Sequence, residues 1–313
     1  MRLLVVAGVV GVLAGCGHST SVAGDAPPAL LDAPTNDGAG PGGGLLSDLR
    51  FAVVGDTRPA NLDDTANYPT PIVSAIWADV EAEVPHPLFA VSTGDYMFAS
   101  IGGSQQGPQL DAYLGARAAF HGVSYAAMGN HECNGFTSSN CGPSGKDGEP
   151  ANYMLFLSKL VAPIGETRPY YIERFAAWDG SWSAKFVFIA ANAWDLGQSN
   201  WLEAALSEPS TYTFVMRHEP DDANAPGVDP STTILAKHPL TLLIVGHTHT
   251  YRHTPALRQI IVGNGGAPLT SNMNYGYVIV ARNPDGTLEV TSRDYQTLAI
   301  VDQFTVMLDG TSH

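Results

Sequence analysis

Residues 129–132 read Gly-Asn-His-Glu, and residues 246–253 read Gly-His-Thr-His-Thr-Tyr-Arg-His. Each follows a short apolar run, Ser124 to Met128 before the first and Leu240 to Val245 before the second. Runs of this length that close in glycine read as buried strands ending in a tight turn. Three more segments follow the same pattern. Phe51 to Val54 closes in Gly55-Asp56, Leu88 to Ser92 runs on to Gly94-Asp95, and Tyr212 to Met216 leads to His218. Strand C-termini are where α/β proteins build sites, because a rigid strand carries a loop that is free to vary. The five ends offer carboxylates, an amide oxygen and imidazoles: Asp56, Asp95, Asn130 with His131, His218, and His247 with His249. That donor mixture suits Zn, Fe, Mn or Ni, and its lack of cysteine argues against a structural zinc site.

Between these strands the periodicity predicts helices over Pro71 to Glu83, Leu110 to Phe120, Asn152 to Leu160 and Trp201 to Leu206. In the first, Ile72, Ala75, Ile76 and Val80 share one face. Strands are predicted over Tyr170–Phe175 and Lys185–Ala191. The C-terminal third adds strands near Gln259–Val262, Tyr275–Ala281, Thr287–Ser292 and Ala299–Met307. The order is mixed α/β, with one domain over residues 49–313.

In this order the blocks resemble the calcineurin-like metallophosphoesterases, including purple acid phosphatases. That pattern runs Asp-x-His, Gly-Asp, Gly-Asn-His-Asp/Glu, His, Gly-His-x-His. Here the blocks are GDTR at 55–58, GDYMF at 94–98, GNHE at 129–132, RHEP at 217–220 and GHTHTYRH at 246–253. The resemblance implies a four-layer αββα sandwich of two mixed sheets flanked by helices. It also implies two divalent or trivalent metal ions, Fe, Mn or Zn, and a small phosphorylated substrate hydrolysed by a metal-bridged hydroxide. Asp95 is implied as the carboxylate bridging both ions. Asn130, His218 and His247 would complete the second ion's ligands, and Asp56 with His249 would hold the first. His131 is implied to contact the phosphoryl group and to protonate the leaving oxygen, with Glu132 orienting its imidazole. The chemistry is coherent, since two cations about 3.5–4 Å apart neutralise a phosphate ester and acidify a bridging water.

Two positions depart from the pattern. Arg58 stands where many members place a metal-binding histidine, and a guanidinium has no free lone pair to ligate a cation. Phe98 stands where purple acid phosphatases place an iron-binding tyrosine. A weaker first metal site is expected, with Arg58 free to bind a phosphate oxygen or to stabilise Asp56. A metallo-β-lactamase reading of His247, His249 and His253 fails, because Tyr251 and Arg252 occupy the positions of its aspartate and histidine.

The remainder of the chain bears on location. Residues 1–16 place Arg2 before an apolar run from Leu3 to Leu13, too short to span a bilayer and suited to a signal peptide. The run ends in Leu13-Ala14-Gly15-Cys16, which resembles a bacterial lipobox and implies lipidation at Cys16. An ordinary secretory signal is the alternative. Either reading makes the protein an exported one of the bacterial cell envelope or exterior, attached to a membrane through a lipid at most. Residues 17–48, rich in Gly, Ala and Pro, read as a disordered tether.

The chain has 313 residues, 44% hydrophobic and 14% charged, so it folds. Its net charge of −15 argues against nucleic acid as a stable partner. Of the three cysteines, Cys133 and Cys141 read as a disulfide in an exported protein, with free thiols or metal ligands as alternatives. Tyr251, Arg252 and His253 are expected near the mouth of the site, and Asn192 with Trp194-Asp195 along its wall. The loops 57–70, 96–110, 133–150 and 219–230 are expected to set specificity.

Overall fold

The computed structural model describes residues 38–270 and 272–313. The expected signal peptide, Cys16 and most of the tether lie outside them. In chain order the strands are β1 (Gly43–Leu46), β2 (Arg50–Val54), β3 (Phe89–Ser92), β4 (Val123–Ala126), β5 (Tyr171–Ala177), β6 (Ser183–Ile189), β7 (Tyr212–Arg217), β8 (Leu242–Val245), β9 (Tyr251–Thr254), β10 (Gln259–Val262), β11 (Gly276–Arg282), β12 (Leu288–Asp294) and β13 (Ile300–Val306). They form a seven-stranded sheet ordered β1-β5-β6-β7-β8-β10-β9 and a six-stranded sheet ordered β13-β12-β11-β2-β3-β4. Both sheets are mixed. β2, β3 and β4 are parallel, as are β6, β7, β8 and β10, while β11 to β13 and β9 run antiparallel to their neighbours.

Side-chain alternation builds four layers from these sheets. Along β2, Phe51 and Val53 point into the space between the sheets, where they meet Phe186, Phe214 and Val262. Ala52 and Val54 point the other way, toward α1 (Thr70–Ala82) and α2 (Gln106–Arg117). A strand buried on both faces reads as a continuous apolar run, as this one does from Phe51 to Val54. The inter-sheet layer is largely aromatic, with Phe89 stacked on Phe175 at 4.4 Å and Phe51 edge-on to Phe186 at 4.9 Å. Helix α1 buries Val73, Ile76, Trp77 and Val80, a stripe at helical spacing, and Pro71 sits in its first turn. On the far side, α4 (Leu196–Ser207) and α5 (Val228–Leu235) cover the other sheet through Leu202, Leu206, Ile234 and Leu235. The Asp195 carboxylate caps α4 by accepting the Gln198 N–H at 2.7 Å.

The expected αββα sandwich is present, with differences in its parts. Gly43–Leu46, read as tether, is a strand parallel to β5 with Leu46 fully buried. A glycine-rich stretch carries no periodicity to announce it. α2 begins at Gln106 rather than Leu110, because its first turn is polar but buried: Gln109 Oε1 accepts the Phe98 N–H. The helix expected over 152–160 is α3 (Ala151–Phe156) followed by a π-helical turn over Leu157–Val161. Part of the expected 219–230 loop begins α5, whose Ser231 hydroxyl takes a hydrogen bond from the buried Arg217. Among the described residues, no helix is long and apolar enough to cross a membrane.

Candidate metal centre

The candidate ligands follow the C-terminal ends of parallel strands from both sheets: Asp56 after β2, Asp95 after β3, Asn130 after β4, His218 after β7 and His247 after β8. His249 lies in the turn before β9. Main-chain hydrogen bonds tie these ends together. The Asp56 N–H donates to Gly94 O at 3.0 Å, and the Gly246 N–H donates to His218 O at 2.8 Å. Asp56, Asp95 and His247 all have left-handed backbones, with φ of 56°, 59° and 67°. Each such residue costs on the order of 1–3 kcal/mol, and such strain concentrates at functional sites. Two glycines make room for the carboxylates. A Cβ on Gly129 would lie 2.3 Å from Asp95 Oδ1, and one on Gly246 would lie 2.4 Å from Asp56 Oδ2.

Asp95 and His218, both expected to hold the second ion, fit one, and Asp56, expected at the first ion, joins them. Asp56, Asp95 and His218 offer ligand atoms that all lie within 4.8 Å of one another, and all three are buried. His218 Nδ1 is 2.8 Å from Thr93 O, so Nδ1–H donates there and Nε2 faces the site. That Nε2 is buried with no hydrogen-bond partner and lies 3.3 Å from Asp95 Oδ1. Two donors bound at about 2.1 Å to one ion have about this separation. The Asn130 amide donates Nδ2–H to Gly135 O at 2.8 Å, which turns its oxygen inward, 3.0 Å from His247 Nδ1.

Electrostatics favour a cation here. Burial pushes the Asp56 carboxyl up to about 8, and the Asp95 charge adds to the effect. Burial would raise Asp95 too, but the His218 and His131 imidazoles hold it well below the usual carboxylate range. Burial would depress His218, but the Asp95 and Asp56 charges outweigh it and raise its pKa well above the ordinary value. Burial brings His247 down to about 4 and lowers His249, leaving both neutral with lone pairs available at pH 7.

The first ion's residues come together only in part: His249 Nε2 lies 3.6 Å from Asp56 Oδ1, but Arg58 intrudes on the pair. His249 donates Nδ1–H to Pro268 O at 2.7 Å, so its Nε2 is the free donor atom. That atom faces Arg58 Nη2 at 3.4 Å, while Arg58 Nε lies 3.6 Å from Asp95 Oδ2. The guanidinium thus lies between two expected ligands and does not pair with Asp56. Both Asp56 oxygens accept the His247 N–H, at 3.1 and 3.2 Å.

Glu132 has a different role from the one expected. Its carboxylate does not reach the His131 ring. Oε2 accepts the N–H groups of Asp95 and Gly129, and Oε1 accepts that of Tyr96, each at 2.9 Å. His131 is positioned by Phe98, whose ring stands edge-on at 4.6 Å, and its Nε2 is 3.8 Å from Asp95 Oδ2. Burial brings His131 down to about 3, so near neutral pH it offers a neutral N–H rather than an acidic proton.

Cys133 and Cys141 form a disulfide, Cα to Cα 5.6 Å, which closes the loop after His131. Asn192 lies beside that loop and not in the metal centre; its amide donates to Thr137 O and Ser139 O. Trp194 and Asp195 line a separate cavity with Cys141 and Tyr153. Tyr251 and His253 pack away from the site, bonded to Asp302 and Ser312 respectively. Thr93 and Pro268 escaped the sequence reading, because they act through main-chain carbonyls that no residue type advertises. Leu62, Phe98, Ile101 and Phe136 were missed as a group. With Arg58 and His131 they line a cavity of about 540 Å³ that opens beside the metal centre.

The arrangement is an αββα sandwich with carboxylates and imidazoles gathered at its strand ends as a candidate metal site. Residues 49–251 match the calcineurin-like phosphoesterases, and the chain belongs to that family of phosphoester hydrolases. Among solved structures, a purple acid phosphatase, PPD1, from yellow lupin (Lupinus luteus) superposes with a TM-score of 0.61 at 15% identity, over 83% of this chain and 53% of that one. GAP50, the anchor in the inner membrane complex of Plasmodium, superposes with a TM-score of 0.57 at 14% identity, over 83% of this chain and 89% of that one. At these identities the likeness is one of fold, and the chain spans about half the length of the lupin enzyme. No curated protein matches the chain.

Proposed function

We propose that this protein hydrolyses small phosphate esters at the centre built on Asp95, Asn130, His218 and His247. The observation that carries this reading is the buried His218 Nε2, unpartnered and 3.3 Å from Asp95 Oδ1. When bound there, a divalent ion supplies a Lewis acid for the phosphoryl oxygens and lowers the pKa of the attacking water. The chain's own groups supply the remainder. Arg58, whose buried Nε has no hydrogen-bond partner and lies 3.6 Å from Asp95 Oδ2, brings to the centre a guanidinium that would donate to a phosphoryl oxygen. His131 offers its N–H on the wall shared with the apolar cavity, where the ester's alcohol would sit. The reading covers monoesters and diesters on the same centre.

We further propose that the protein is exported and held to a membrane by a lipid on Cys16. The Cys133–Cys141 disulfide supports an oxidising compartment. A second reading is a surface-anchored binding protein that does not turn over. Arg58 favours it, because it blocks an expected ligand, and a similar fold belongs to an anchor protein. Assays of a phosphomonoester and a phosphodiester with added Mn or Zn decide between them. Turnover that a chelator abolishes supports the enzyme. A bound ion without turnover of either ester supports the binding protein.

A further inference from the structure

We propose that Arg58 replaces the first of the two expected ions, so that the chain holds one metal ion with a fixed guanidinium as its second positive pole. The proposal rests on the reading of Asp95, Asn130, His218 and His247 as ligands of that single ion.

Four observations carry it. The His249 Nε2 lone pair faces Arg58 Nη2 at 3.4 Å, and the tautomer is set by the bond from Nδ1 to Pro268 O. One lone pair cannot serve a guanidinium N–H and a cation at once. Second, Arg58 is held in place by groups outside the ligand set. Nη1 donates to Pro59 O at 3.0 Å, and the guanidinium carbon lies 4.7 Å from the centre of the Phe98 ring. Third, Phe98 offers no oxygen, so position 98 cannot supply the donor that position 58 lacks. Its ring is instead the surface on which Arg58 rests. The two departures from the family pattern are therefore in contact and act together. Fourth, Asp56, Asp95 and His218 have ligand atoms that lie within 4.8 Å of one another, so Asp56 turns toward the ion that His218 serves, while its oxygens also accept the His247 N–H.

The consequence is a centre whose positive charge is partly built into the chain. A guanidinium stays charged across the physiological range and presents a fixed set of donors to phosphate. It would bind a phosphoryl oxygen on the side where a first ion would otherwise do so, independently of metal supply.

The test is metal content per folded chain, measured by mass spectrometry after equilibration with Mn or Zn. Wild type is expected to hold one ion, and Arg58→His, which restores the missing donor, is expected to hold two. His249→Ala in the wild-type background is expected to keep one ion with affinity within about threefold, whereas loss of a ligand costs tenfold or more. Two ions in wild type would overturn the proposal, as would a tenfold loss in His249→Ala. An Arg58→His protein that melts like wild type yet still holds one ion would also overturn it. If Arg58→His does not fold, the His249→Ala affinity decides. Wild type holding no ion at all would instead overturn the ligand reading beneath the proposal, a result distinct from the others.

Discussion

Glu132 lies beneath Asp95 rather than beside His131: its Oε2 accepts the Asp95 N–H at 2.9 Å. The same carboxylate takes the N–H groups of Tyr96 and Gly129, so one buried side chain pins the turns that follow β3 and β4. These turns carry the left-handed Asp95 and the candidate ligand Asn130. In Glu132→Gln, one oxygen becomes an NH₂ facing main-chain donors. The expected loss is about 2 kcal/mol of stability, read as a lower Tm, because a buried donor is left unsatisfied. Metal affinity should fall about tenfold as Asp95 loosens. Wild-type Tm and metal affinity with a loss confined to kcat would return Glu132 to the role of orienting His131.

Asp95→Asn and His218→Ala remove opposite sides of the ligand pair. Each should abolish stoichiometric metal binding and cut kcat at least about 100-fold. Equilibrium dialysis together with steady-state kinetics checks this. Retained metal in both variants would show that the ion sits elsewhere.

Phe136 is 70% exposed on the rim of the apolar cavity, so truncating it should leave the fold intact. In Phe136→Ala, KM for an aryl phosphate should rise about tenfold, the equivalent of about 1.4 kcal/mol, near the lower end of what burying such a ring is worth. Glycerol phosphate, too small and polar to reach the rim, should be unaffected. Equal losses for both substrates would place the leaving group outside this cavity.

Glu173 on β5 is fully buried, and neither carboxylate oxygen has a hydrogen-bond partner. Burial, with help from the Glu166 charge, pushes its pKa from 4.5 up to about 8. A raised carboxyl pKa means that the folded protein holds a proton the unfolded chain has released. The resulting contribution to stability is fully present below about pH 4.5 and is lost as pH rises toward about 8. The loss is at most about 1.4 kcal/mol per pH unit. Glu173→Gln cannot ionise, so its Tm advantage over wild type should grow from pH 5 to pH 8. A constant difference across that range would mean Glu173 is ionised in the fold.

Much of the fold was legible because its strands are buried on both faces and end in glycine. The runs closing at Gly55, Gly94, Gly129 and Gly246 could be read as short apolar strands followed by turns. The candidate ligand positions followed from the ordered combination of the five blocks, since each block alone is as often an ordinary turn or a structural histidine. What the sequence hid was orientation. Nothing in GNHE says that Glu132 turns away from its neighbour, because the main-chain donors it accepts belong to residues 95, 96 and 129. The apolar cavity was hidden because Leu62, Ile101 and Phe136 come from three separate loops, where there is no periodicity to read. β1 was hidden by its glycines, and the edge of a sheet made by β5 recruits it through main-chain bonds and the burial of Leu46.

Hydrolysis of p-nitrophenyl phosphate by the purified protein, with metal content measured on the same sample before and after chelation, tests the reading of this chain most directly. A metal-dependent phosphohydrolase should turn over as isolated, stop when its ion is removed, and recover when Mn or Zn is returned. Turnover that persists with no ion bound, or a fully metallated protein that hydrolyses no phosphate ester, would contradict it.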